Sequence, residues 1–223
     1  MNNKMDSYIM ENPEKISNDL IDRARKLSSS LISDAMSPIG TMDFEIKPLR
    51  QSILMVGTAL TVKLNPGDNL FLHKAISLSE PGYVLVVDSS GNKKSAMWGE
   101  LMTKTAIAVG IEGVVLDGVV RDVNFLRKAE LPIFTRGAIP NGTTRNNLGI
   151  INTQITCGDV PVNPGDMIIG DDDGVVVIPF NMIDEILTKA EKRSMLEDER
   201  ILDIKNGKLL PQWVEDNISI LLR

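Results

Sequence analysis

The sequence predicts an α/β protein in which a mixed sheet is flanked by helices and extended by further helices at both chain ends. Three observations point there. The runs Tyr83–Asp88 (YVLVVD) and Gly113–Gly118 (GVVLDG) are apolar without alternation, as strands covered on both faces are. Strand-like and helix-like segments alternate between residues 53 and 140, the order of a sheet built with crossover helices. From Asn152 to Pro179 the chain changes to short strands and turns before a long charged helix.

The elements follow in order. Asn12-Pro13 reads as a helix start, with Ile16, Leu20, Ala24 and Leu27 on one face. Ser29 or Ser30 caps a second short helix through Leu31, Ile32, Ala35 and Met36, closed by Pro38 and Gly40. Ile53–Leu64 reads as a strand with a glycine break. The turn Asn65-Pro66-Gly67-Asp68-Asn69 follows it, then a helix through Ile76. After YVLVVD comes a helix from about Trp98 to Val109, then the strand GVVLDG. A short helix through Phe125 and Leu126 leads to the strand PIFTRGAIP. The last helix runs to about Asn206, and its apolar Met195, Leu196, Ile201, Leu202 and Ile204 mark a side suited to another subunit.

Composition narrows the function classes. A chain of 223 residues suits one domain, with residues 1–45 as N-terminal helices, 46–180 as the α/β core and 181–223 as a C-terminal helical extension. The formal net charge of −6 works against broad nucleic-acid binding, which needs clustered cations, so no nucleic-acid partner is expected. No apolar run reaches the ~18 residues of a membrane span. Cys157 is alone, so no intrachain disulfide forms, and the first residues lack a signal-peptide pattern; a cytoplasmic location is expected.

Two strand ends carry the chemistry. Gly99, Glu100, Leu101 and Met102 fall at the start of a helix, where free backbone N–H groups form a cradle for a carboxylate. Arg121-Asp122 follows GVVLDGVV, placing a cation and an acid near the carboxyl end of the next strand, where open α/β sheets bind ligands.

With WGELM and GVVLDGVVRD at this spacing, the chain resembles the RraA-like and 4-hydroxy-4-methyl-2-oxoglutarate aldolase family, from Ser33–Met36 (SDAM) through Gly170–Pro179 (GDDDGVVVIP). The resemblance implies a layered α/β/β sandwich of the swivelling-domain type and a homotrimer, or a hexamer of stacked trimers. It implies a class II pyruvate aldolase that cleaves a 4-hydroxy-2-oxo acid and also decarboxylates oxaloacetate. It gives Gly99, Glu100, Leu101, Met102 and Arg121 to the substrate, Asp122 to a divalent metal, and Glu100 to the ordering of metal-bound water. Aldolase members often carry Asp at the Glu100 position. A neighbour's C-terminal helix would add a carboxylate, for which Glu197 and Glu199 are candidates. The rival implied by the same resemblance is a non-catalytic regulator that contacts a ribonuclease or helicase.

The chemistry agrees with the residues. Cleavage beside a 2-oxo acid leaves a pyruvate enolate, which Mg2+ or Mn2+ on a carboxylate-and-water site stabilises. Other readings are structural. Asp171-Asp172-Asp173-Gly174 reads as a hairpin turn rather than a metal site. His73 reads as a partly buried helical histidine, because no second histidine completes a zinc pair. Cys157 reads as a structural thiol, and Lys63, Lys74 and Lys104 as surface residues rather than Schiff-base lysines. Trp98 reads as an amphipathic aromatic packed near the site. Methyl transfer to a quinone finds no GxGxxG loop to support it.

Overall fold

The computed structural model describes residues 8–36 and 39–222. Helices α1 (Asn18–Ala24) and α2 (Ser29–Met36) precede strands β1 (Lys47–Pro48) and β2 (Met55–Lys63). Then come α3 (Leu70–Leu78), β3 (Tyr83–Trp98), α4 (Glu100–Val109), β4 (Gly113–Val120), α5 (Val123–Leu126) and β5 (Ile133–Ala138). Short strands β6 (Ile150–Ile151), β7 (Ile155–Cys157) and β8 (Val160–Val162) lead to β9 (Met167–Asp171) and β10 (Gly174–Ile178). Two helices close the chain, α6 (Ile183–Lys205) and α7 (Gln212–Leu221).

The main sheet is mixed, in the order β1-β5-β4-β3-β2-β9-β10, with β6 also on β2 and β7-β8 forming a separate ribbon. Strands β2, β3, β4 and β5 are mutually parallel, and β1, β6 and β9 add antiparallel partners. Unalternating apolar runs make this possible because the sheet is covered on both sides. Leu60, Leu85, Val87, Val114 and Leu116 pack with Leu72, Ile76, Met102 and Ala106 of α3 and α4. Their neighbours Ala59, Val84, Val86 and Val115 pack the other way, with Ile155, Cys157 and Val162 of the β7-β8 ribbon. A third cluster joins α1, α2 and the start of α6 to β9 and β10 through Ile32, Ile169, Val176, Ile186 and Leu187. This is the layered α/β/β arrangement expected.

Three details depart from expectation. The first helix begins at Asn18, not Asn12-Pro13, because the preceding segment is held extended by long-range bonds: Ile16 N–H donates to Thr58 Oγ1 at 3.0 Å and Asn12 Nδ2 to the Leu78 carbonyl at 2.7 Å. Strand β3 does not stop at Asp88. Asp88 pairs with Asp117, the chain then bulges around Asn92, and it rejoins the sheet where Ala96 pairs with Val119 and Trp98 with Val120. Trp98 therefore ends a strand, and the helix starts at Glu100. The DDDG segment is the expected hairpin, between β9 and β10. Of the expected stops for α2, Pro38 lies outside the described residues.

Arg23 ties α1 to α6 through Glu191 at 2.8 Å and Asp184 at 2.6 Å. Past Ala190 no residue of the helix is buried, although Arg193 still pairs with Asp34 of α2 at 2.7 Å; Met195, Leu196, Ile201, Leu202 and Ile204 are exposed, and no residue of α7 is buried. Among the described residues no helix is long and apolar enough to cross a membrane.

Candidate active site

Parallel pairing of β3 with β4 brings the two expected segments together. Trp98 faces Val120 in register, and the Arg121 N–H donates to the Trp98 carbonyl at 3.0 Å, so Gly99 and Arg121-Asp122 leave the sheet side by side. The strand-to-helix corner is locked from beneath. Trp98 is buried and its Nε1–H donates to Thr103 Oγ1 at 2.7 Å, while that hydroxyl donates to the Gly99 carbonyl at 3.0 Å. Trp98 thus packs beneath the site as an amphipathic aromatic, as expected, and also lines the cleft.

Asp122 lies in the left-handed region, φ 60° and ψ 35°, at the start of α5. That conformation turns its carboxylate back to α4, where Oδ2 accepts the Glu100 N–H at 3.0 Å. One cradle N–H expected to meet a substrate carboxylate is therefore taken by Asp122. Leu101 and Met102 still precede the first intrahelical bond, from the Thr103 N–H to the Gly99 carbonyl at 3.0 Å. Arg121 Nε stands 3.8 Å from Asp122 Oδ2, with both side chains almost half exposed, so this pair adds little stability and leaves the guanidinium open to a ligand. The Glu100 carboxylate pairs with Lys104 at 2.6 Å, and the Lys104 ammonium also lies 4.9 Å from the centre of the Phe125 ring. Lys63, Lys74 and Lys104 are all exposed, as expected.

A small cleft of about 110 Å³ opens over these groups. It is well below the ~300 Å³ of a drug-sized pocket, a size suited to a small metabolite. Its lining includes Gly99, Glu100, Leu101, Met102, Arg121 and Asp122, all six expected site residues. Ala96, Met97 and Trp98 of β3 line it too, as do Asn69, His73, Gly142, Thr143 and Arg145, and none of these last five was read as a site residue from sequence. His73 lies on α3 as expected but is exposed rather than partly buried; desolvation by the surrounding cleft, and to a smaller extent the Arg145 charge, lower its pKa from 6.5. Asn69 is buried, with Nδ2 donating to the Met97 carbonyl at 3.0 Å and Oδ1 without a partner among the described residues. A sequence signal existed for Gly142, Thr143 and Arg145. They follow β5, the next parallel strand after β4, whose carboxyl end opens on the same edge of the sheet.

Among the described residues no three His, Cys, Asp or Glu side chains gather as a metal cluster. What the chain offers a cation is Asp122 Oδ1, which has no hydrogen-bond partner among the described residues, with the Glu100 carboxylate lining the same cleft. A hard dication that keeps several waters fits that donor set, since Mg2+ is commonly held by one or two carboxylates. Cys157 is buried, with a thiol pKa pushed well up by burial, and belongs to the core as expected.

Comparison with known proteins matches this geometry to a family. The family model RraA-like (Aldolase/RraA) matches residues 29–177. A relative from Halalkalibacterium halodurans, named "Putative 4-hydroxy-4-methyl-2-oxoglutarate aldolase", is 38% identical over 182 residues, covering 82% of this chain and 87% of its own length. A crystal structure of an uncharacterized protein from Pseudomonas syringae superposes with a TM-score of 0.78 at 27% identity, covering 89% of this chain and 93% of that one. The RNA-processing inhibitor RraA from Thermus thermophilis superposes with a TM-score of 0.62 at 26% identity, covering 68% of this chain and 92% of that one. With the family model spanning both strand ends of the cleft and the layered fold shared, the chain belongs to the RraA-like family.

Proposed function

We propose that the protein is a divalent-metal-dependent carbon–carbon lyase that cleaves a 4-hydroxy-2-oxo acid, such as 4-hydroxy-4-methyl-2-oxoglutarate, to pyruvate and decarboxylates oxaloacetate. The observation that carries this reading is the convergence of Arg121, Asp122 and the start of α4 on one small cleft. Arg121 binds the carboxylate of the 2-oxo acid through its planar fork, and the Leu101 and Met102 N–H groups meet the same negative charge at the positive end of α4. Asp122 holds Mg2+ or Mn2+, which supplies a Lewis acid toward the 2-oxo group. Glu100, steadied by Lys104, orders water at the rim for proton transfer to and from the substrate. In aldol cleavage the C4 hydroxyl loses its proton, the C3–C4 bond breaks and its electron pair passes into the pyruvate enolate. In decarboxylation the same enolate forms as carbon dioxide leaves, and protonation at C3 gives pyruvate in both cases.

The name of the H. halodurans relative supports the aldolase reading. The reading further takes the protein as a cytoplasmic homo-oligomer, trimer or hexamer, in which the exposed half of α6 meets a neighbour and Glu197 or Glu199 reaches its cleft. The likeness to the inhibitor RraA supports a second reading, a regulator acting by contact on a ribonuclease or helicase. Metal-dependent turnover separates the two. Oxaloacetate decarboxylation should vanish in chelator and return with Mg2+ or Mn2+; full activity in metal-free protein would sink the lyase mechanism.

A further inference from the structure

The outer wall of the cleft is formed by residues 139–149, a segment without helix or strand in which Thr144 makes an isolated bridge to Asp68. Such a segment holds its shape only if its backbone groups are satisfied elsewhere. Here two backbone N–H groups and one hydroxyl of the segment converge on one side chain. The Asp68 carboxylate is only 2% exposed, yet Oδ2 accepts the Asn146 N–H at 2.6 Å, the Thr144 hydroxyl at 2.9 Å and the Asn147 N–H at 3.1 Å. Oδ1 accepts the Leu70 N–H at 3.0 Å, in the first turn of α3. Main-chain bonds run alongside, from the Thr144 N–H to the Gly67 carbonyl at 2.8 Å and from the Asn69 N–H to the Thr144 carbonyl at 3.2 Å.

Burial alone would raise the Asp68 pKa, but these donors outweigh it and hold the carboxyl below its usual range, so the clamp is charged at neutral pH. The residues on either side of this clamp line the cleft: Asn69 at the start of α3 and His73 within it, and Gly142, Thr143 and Arg145 from the loop. Arg145 has no carboxylate within salt-bridge distance among the described residues, so its charge is available to a ligand.

We infer that Asp68 is a positioning residue: by pinning residues 144–147 to the start of α3 it holds Arg145 as the outer wall of the cleft, which selects what is attached to the 2-oxo acid. The inference rests on the proposed reading of the cleft as a 2-oxo-acid site. Asp68 makes no hydrogen bond to the inner floor, Arg121 and the start of α4, whereas it holds the loop that carries Arg145.

Two probes separate the parts. Oxalate spans only the floor, and 2-oxoglutarate carries a second carboxylate to the wall. Binding of each in Mg2+ is measured by calorimetry for wild type, Asp68→Asn, Arg145→Ala and the double variant. Hydrogen exchange at the Asn146 and Asn147 amides is read in parallel. In Asp68→Asn these amides should exchange at least tenfold faster, 2-oxoglutarate should weaken about tenfold, and oxalate should change less than twofold. Arg145→Ala should reproduce the ligand effect, and the double variant should be no worse than either single, because both act through one contact.

Thr144→Val, which removes one donor to Asp68, should shift the same readouts less and serves if Asp68→Asn folds poorly. Equal losses for both acids, or unchanged 2-oxoglutarate binding with the amides released, would overturn the positioning role. If wild type binds neither acid, the reading of the cleft itself is wrong and this inference falls with it.

Discussion

Gly99 and Asp122 approach so closely that a β-carbon on Gly99 would lie 2.6 Å from Asp122 Oδ2. Gly99 is extended, at φ −165°, so any residue could adopt its backbone, and what demands glycine is this approach, with Arg121 Cγ also only 3.2 Å from such a carbon. Gly99→Ala should push the carboxylate off the Glu100 N–H. Oxaloacetate turnover should fall about 100-fold, the loss that a misplacement of ~1 Å can cause, with little change in thermal stability because the rim is open to solvent. A variant with the wild-type rate would show that the position of Asp122 does not matter to the chemistry.

Arg121→Lys keeps the charge and loses the planar fork. It should lower turnover more than Mg2+ affinity, whereas Asp122→Asn should weaken Mg2+ first. Steady-state decarboxylation and Mg2+ titration of both variants decide the matter. Near-normal turnover in Arg121→Lys would reduce Arg121 to general positive potential.

The chain's single histidine makes its titration easy to follow by NMR. The His73 midpoint should lie below 6.5, mainly through desolvation, and should rise in Arg145→Ala without reaching the unperturbed value. Between the lowered folded value and 6.5 the unfolded chain binds more protons, so His73 makes the fold less stable as the pH falls through that window. A midpoint at or above 6.5 would place His73 outside the cleft.

Arg136, with a side chain only 8% exposed, bonds to Asp117, Asp43 and Glu45 on the opposite side of the sheet from α3 and α4. Arg136→Ala leaves the buried Asp117 carboxylate without its counter-charge, and denaturant unfolding should show a loss of about 3–5 kcal/mol. A loss under ~1 kcal/mol would mean that water or a neighbouring cation replaces the guanidinium.

The sheet was legible because its strands are continuous apolar runs, and Gly99 and Arg121-Asp122 because each belongs to a contiguous motif at a strand end. The bulge after Asp88 was not. Its sequence, SSGNKKS, has the polarity of a loop, and only pairing with β4 returns the chain to the sheet at Ala96. The start of α1 was misread for a similar reason, since bonds from Ile16 to Thr58 override the local helix signal. Asn69, His73 and Arg145 were not read as site residues because their meeting depends on Asp68 gripping a loop more than 70 positions away.

The left-handed backbone at Asp122 has a consequence for how such a chain changes over generations. A side chain in that conformation costs on the order of 1 kcal/mol, which glycine would not incur. Asp122→Gly would therefore relieve the backbone while removing the acid from the cleft. Selection for folding alone would favour the glycine, and selection for turnover alone would forbid it. On the proposed reading, a lineage released from catalysis could drift to an inert, well-folded descendant in one step, and an acid at this position is what continued selection for turnover would keep.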